Sequence, residues 1–164
     1  MALPAGTQAP DFTLTTLGSE GPELFTLSEK IGTANLLLLF VPMAFTGTCT
    51  EEFCSITENL ETYKALDATV IGISGDGPFA QQAWAEKEGI SLTLVSDYEH
   101  NTARDYGVAY DSFLPEKNLT MGGVPKRSAF IIDKSGVIQY SEVSDNPGIL
   151  PDFEAIQAKL KELA

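Results

Sequence analysis

Residues 34–41 read Ala-Asn-Leu-Leu-Leu-Leu-Phe-Val, an apolar run broken only by Asn35, with Gly32 before it and Pro42 after it. A run of this length between chain breakers suits a strand covered on both faces, although leucine at this density equally allows a buried helix. In either form it must occupy the interior, and the other elements have to be arranged about it. A polar turn follows at once, and beyond it Thr48-Cys49-Thr50-Glu51 has the form of a capping box, with Thr48 as the cap. Cys49, Phe53, Ile56, Leu60 and Tyr63 then recur at steps of three and four and make one apolar helix face. The pattern predicts Cys49 as the first residue of a helix, on the side that meets the core.

The flanking segments alternate in type. Residues 10–15 have the period of a half-buried strand, 18–22 form a turn, and 24–27 are a second short strand or extended segment. Residues 69–74 read as a buried strand, and a helix follows with Pro78 near its start and Gly89 at its end. A short strand at 92–96, a short helix at 101–106 closed by Gly107 and a loop at 111–123 come next. Residues 127–133 and 137–143 form a hairpin about Lys134-Ser135-Gly136, and 153–163 is an amphipathic closing helix. Buried strands separated by helices imply parallel pairing with helices on both faces, and the hairpin adds an antiparallel edge. The order predicts one α/β domain over residues 1–164, compatible with a thioredoxin-like fold: a central mixed sheet flanked by helices, with an extra N-terminal strand segment.

Ten basic residues against 23 acidic ones give a net charge of -13, which repels nucleic acid and anionic membrane surfaces. The excess reads as a solvated acidic surface or as adaptation to high salt. No apolar stretch approaches the roughly 20 residues of a membrane helix. The first six residues lack the basic start and apolar core of an export signal, which predicts a cytoplasmic location. Thiols are kept reduced there, so Cys49 and Cys54, the only cysteines, are read as chemistry rather than as a structural staple. His100 is the only histidine, which argues against an imidazole metal centre, and it reads as a surface residue at a helix start. Trp84 and Phe79 read as packing residues or, if exposed with Phe45 beside the cysteine turn, as anchors of a dimer interface. Gly122-Gly123 reads as a flexible approach to Arg127.

The nucleophilic form of cysteine is the thiolate, which a helix N-terminus or a fixed cation favours. Glu51 and Glu52 oppose it, so a cation is required. The chain has two arginines, Arg104 and Arg127, and Arg127 opens an apolar strand where an unpaired charge would be costly. Arg127 is therefore expected to reach the Cys49 sulfur across the sheet.

Pro42-Met43-Ala44-Phe45-Thr46-Gly47-Thr48-Cys49 resembles the P-x-x-x-T-x-x-C motif of peroxiredoxins. Gly6-Thr7-Gln8-Ala9-Pro10-Asp11-Phe12 resembles their usual opening, and residues 124–133 are similar to the segment carrying the active-site arginine. The resemblance implies that Cys49 is the peroxidatic cysteine, attacking hydrogen peroxide or an organic hydroperoxide to give a sulfenic acid. It further implies that Thr46 contributes its hydroxyl to the substrate oxygens, that Arg127 orients the same network, and that Pro42 shields the thiolate. Glu52 either positions Arg127 or is a plain solvated helix carboxylate. The C-x-x-x-x-C spacing of Cys49 and Cys54 resembles the PrxQ (bacterioferritin comigratory protein) subfamily, in which a resolving cysteine stands at this offset. The Phe45–Cys49 turn resembles the AhpE-type subfamily, whose type member lacks that cysteine.

The resemblance implies no bound cofactor, recycling by thioredoxin or a glutaredoxin-like thiol donor, and a homodimer. On an intact helix five residues separate Cα atoms by roughly 8–9 Å and side chains by about 140°, beyond the roughly 7 Å reach of a disulfide. A resolving Cys54 requires the first turns to unwind; otherwise Cys54 is inert and the enzyme works with one cysteine. A peroxide-sensing interaction protein is the remaining reading, whereas a disulfide reductase lacks its C-x-x-C.

Overall fold

The computed structural model describes residues 1–164. The leucine run is a strand, β3 (Asn35–Phe40), with all six residues buried. Leu37 and Leu39 enter one core and Leu36, Leu38 and Phe40 the other, on opposite sides of the sheet. Only the period of two of a strand sends consecutive leucines to opposed cores, which decides between strand and helix.

In chain order the elements are β1 (Thr13–Gly18), β2 (Gly21–Thr26), β3, α1 (Gly47–Glu58), α2 (Leu60–Ala65), β4 (Ala68–Ser74), α3 (Pro78–Glu88), β5 (Thr93–Ser96), α4 (Asn101–Asp105), β6 (Ser128–Ile132), β7 (Ile138–Val143) and α5 (Phe153–Leu163). They build one seven-stranded sheet in the order β2-β1-β5-β4-β3-β6-β7. β3 and β5 run parallel to β4, and the other neighbours are antiparallel. This is the mixed sheet flanked by helices that the sequence predicts. α1, α2, α3 and α5 cover one face through Phe53, Tyr63, Trp84 and Ile156. α4 and the N-terminal segment cover the other through Ala103, Phe12, Phe25 and Leu27.

Four local expectations are corrected. β1 starts at Thr13 rather than at residue 10, because the Asp11 carboxylate accepts from the N–H groups of Phe12 and Ser28 and turns the chain inward. Phe12 thereby stacks on Phe25 with ring centroids 6.1 Å apart. The helix carrying Cys49 ends at Glu58, where Asn59 breaks it (φ -110°, ψ 12°) and donates its side chain to the Ser55 carbonyl. Tyr63 is still buried, but from α2, and Leu60 is only half-buried. Gly122 and Gly123 are packed rather than loose: Gly123 has φ +88°, and a Cβ there would lie 2.9 Å from the His100 ring. His100 is correspondingly half-buried, with its Nδ1 enclosed and unpartnered.

Candidate active site

The site forms past the C-terminal end of β3, the end at which parallel strands present their loops. Val41 continues the β3–β4 ladder by donating to the Ile73 carbonyl, and Pro42 is buried behind it. The turn is tied across the sheet end by Asp76, just after β4, whose Oδ2 accepts the Ala44 N–H at 2.8 Å. Phe45 takes the left-handed conformation (φ +65°), which reverses the chain. Thr46 is then the N-cap, in extended conformation, and its Oγ1 donates to the Met43 carbonyl at 2.7 Å.

The capping box expected at Thr48 is therefore not formed. The reversal at Phe45 starts the helix at Gly47, so Cys49 is its third residue rather than its first. The first helical bond runs from Thr50 N–H to Thr46 O, and the N–H groups of Gly47, Thr48 and Cys49 precede it, open at the positive end of the helix.

Arg127 lies one residue before β6, and its guanidinium is buried beneath this helix end. Its NH2 group donates to Cys49 Sγ at 3.3 Å, and its NH1 group donates to Glu52 Oε1 at 2.9 Å. Glu52 stands three residues beyond Cys49, on the same helix face. The side chains of Arg127 and Glu52 are 2% and 0% exposed, so the solvated-carboxylate reading of Glu52 is overturned. Two further bonds, from Nε at 3.0 Å and NH2 at 2.8 Å, go to the carbonyl oxygen of Pro147. Cys49 itself is 1% exposed, and with Arg127, Thr46, Pro42, Phe113 and Leu114 it lines a cavity of about 230 Å³.

Burial is the largest influence on Glu52 and outweighs the attraction of Arg127, pushing its carboxyl up to about 7; Glu142 adds to the rise. Its second oxygen is enclosed without a partner, consistent with that penalty on the charge. A raised carboxyl binds its proton more tightly in the folded state, so its contribution to stability is complete at low pH and is lost between pH 4.5 and about 7. Glu52→Gln is expected to flatten this fall, which amounts to at most about 3 kcal/mol. Urea denaturation at about pH 4 and about pH 8 on both proteins measures it.

Cys54 faces away from the cavity. Its Sγ lies 3.5 Å from the Glu88 carbonyl at the end of α3, and burial together with Glu88 and Glu58 pushes its thiol up. α1 is unbroken from Cys49 to Cys54 and both thiols are free. Trp84 is fully buried, with its ring 5.4 Å from Phe53 and its Nε1 donating to Thr50 Oγ1 at 3.0 Å, so it packs α3 on α1 and presents nothing to a partner. Phe45 and Phe79 are exposed. Sequence reading missed Asp76, one of many acidic residues in the chain, and Pro147, whose contribution is a backbone carbonyl without a side-chain signature.

The AhpC/TSA family profile matches residues 5–141. The chain belongs to this family, the peroxiredoxins. It is 32% identical over 152 residues to alkyl hydroperoxide reductase E of Mycobacterium tuberculosis, covering 92% of this chain and 91% of that one. Chloroplastic peroxiredoxin Q of Triticum aestivum is 34% identical over 135 residues, covering 82% of this chain and 57% of that protein. Among solved structures, reduced Prx3 of Vibrio vulnificus in complex with H2O2 superposes with a TM-score of 0.82 at 25% identity, covering 96% of this chain and 99% of that one. The peroxiredoxin is thus similar to relatives of both the E and the Q type. It is a thiol-dependent peroxidase on a thioredoxin-like fold, and none of its helices is long and apolar enough to cross a membrane. The family match ends before Pro147, so part of the Arg127 cradle lies beyond it.

Proposed function

We propose that Cys49 attacks the terminal oxygen of hydrogen peroxide or an organic hydroperoxide. An S–O bond forms as the O–O bond breaks, the sulfur gives up two electrons, and the leaving oxygen takes a proton and departs as water or alcohol. The observation that carries this reading is the Arg127 guanidinium 3.3 Å from the Cys49 sulfur at the wall of the cavity. A cation so placed supplies donors as charge moves from sulfur onto the leaving oxygen. The Thr46 proton points at Met43 O, so the lone pairs of this hydroxyl are left to accept the hydroperoxide O–H. Pro42 closes the buried side against water, and Glu52 positions Arg127. Stopped-flow mixing with hydrogen peroxide, with thioredoxin as donor, tests the reaction: sustained consumption identifies an enzyme, whereas a peroxide sensor reacts once.

Cys54 resolves the sulfenic acid in this proposal: its thiol gives up a proton as its sulfur attacks Cys49 Sγ, the S–O bond breaks as the disulfide forms, and the hydroxyl leaves with a proton as water. Thioredoxin or a glutaredoxin-like dithiol then returns both thiols. The step requires residues 47–54 to unwind, and the start of α1 favours this, having neither a side-chain cap nor an acidic residue in its first turn. Cys54→Ser is expected to react once at the wild-type rate and then to stop turning over with thioredoxin. Mass spectrometry after one equivalent of peroxide checks the chemistry: a persistent Cys49 sulfenic acid beside a free Cys54 thiol in the wild type would make this a one-cysteine peroxidase. The intact helix and the Glu88 contact of Cys54 favour that second reading. The exposed Phe45 and Phe79 are proposed as anchors of a homodimer working in the cytoplasm, with no bound cofactor.

A further inference from the structure

Two of the bonds that fix Arg127 end on one atom, the Pro147 carbonyl oxygen, and the NH2 group that makes one of them is also the group that reaches Cys49 Sγ. This carbonyl shares a peptide plane with the Gly148 N–H, and in a trans peptide the two point in opposite directions. The Gly148 N–H donates to Asn146 Oδ1 at 2.9 Å. Fixing one edge of the plane fixes the other, so the Asn146 side chain, together with the Ile149 N–H that donates to the Asn146 carbonyl at 3.1 Å across the same turn, sets where the Pro147 oxygen points.

The rest of the segment is anchored independently. Ser144 N–H donates to the Arg127 carbonyl at 2.9 Å, one step past the last β6–β7 pair, Ser128 and Val143. Ser144 Oγ donates to Asn146 O at 2.8 Å, and Asn146 N–H donates back to Ser144 Oγ at 3.2 Å. These bonds hold the backbone up to Asn146; beyond it, Arg127 itself apart, the Pro147–Gly148 plane receives a side-chain hydrogen bond only from Asn146. Asn146 is exposed, does not line the cavity and lies past the family match.

We propose that Asn146 is a positioning residue for peroxide reduction, acting through the Pro147 carbonyl on Arg127; the proposal rests on the reading that Arg127 serves the hydroperoxide at Cys49. Without the Asn146 oxygen only the Ile149 bond and Arg127 itself restrain the plane; as it turns, the two guanidinium bonds to Pro147 O weaken and NH2 drifts from the sulfur. Asn146→Ala is expected to lower the second-order rate with hydrogen peroxide about tenfold, the effect of one oriented hydrogen bond. Asn146→Asp keeps an acceptor at the same atom and is expected within about twofold of wild type, since either side chain makes this turn. Stopped-flow rates of wild type, both Asn146 variants and Arg127→Ala, with denaturation midpoints alongside, test it. A slow alanine and a restored aspartate variant, both of unchanged stability, support the proposal. An alanine variant as fast as wild type beside a slow Arg127→Ala overturns it alone, and so does an aspartate variant as slow as alanine. An Arg127→Ala protein as fast as wild type overturns the underlying reading of the site.

Discussion

With serine in place of Cys49, peroxide consumption is expected to fall by on the order of 10⁴-fold or more, the scale on which a lost nucleophile registers. A hydroxyl is far less acidic than a thiol, so neither the helix end nor Arg127 can generate the reactive anion in useful amount. Oxygen also cannot accept the transferred oxygen atom as sulfur does. The substitution is close to isosteric in a position 1% exposed, and the Arg127 NH2 group that now meets Sγ can donate to a hydroxyl. The fold should therefore survive, and a melting temperature within a few degrees of wild type, read beside the stopped-flow trace, separates lost chemistry from lost structure. Peroxide consumption at the wild-type rate would remove Cys49 as the nucleophile.

Arg127→Ala is expected to slow the reaction by about 10² to 10³-fold, comparable to the loss of a preorganised donor at a developing charge. It should also destabilise the protein, because Glu52 is enclosed and the guanidinium is its only ion-pair partner. Breaking a buried pair from one side costs about 3–5 kcal/mol. Glu52 softens this by taking up a proton, since a carboxyl already raised to about 7 rises further when the cation is gone. The double variant Arg127→Ala with Glu52→Gln separates the two effects. Stability should largely return because no charge is left inside, while the peroxide rate should stay low. A double variant that recovered the rate would mean that Arg127 acts only by keeping Glu52 in place.

The parts of the molecule legible in the sequence are those written in periodicity or in scarcity. The leucine run declared a buried element but not its type; only the division of its side chains between the two cores made it a strand. With only two arginines in the chain, the one opening an apolar strand had to find an anionic partner inside, and it lies against Cys49 and Glu52. The start of α1 was misplaced because it depends on the left-handed Phe45, and phenylalanine carries no signal for that conformation. Burial of Glu52 was hidden because a helix carboxylate is exposed by default, and what encloses this one arrives 75 residues later. Asp76 and Pro147 escaped notice because each acts on or through a backbone atom brought close only by the β3–β4 and β6–β7 registers.

Trp84 is the chain's only tryptophan, and both of its specific contacts, Thr50 and Phe53, come from the stretch of α1 that separates the two cysteines. Any rearrangement bringing Cys54 to Cys49 pulls the hydrogen-bond acceptor and the neighbouring ring away from the indole together, and water takes their place. The fold thus contains its own optical gauge: the colour of its ultraviolet emission distinguishes a wound from an unwound first helix, with no label attached.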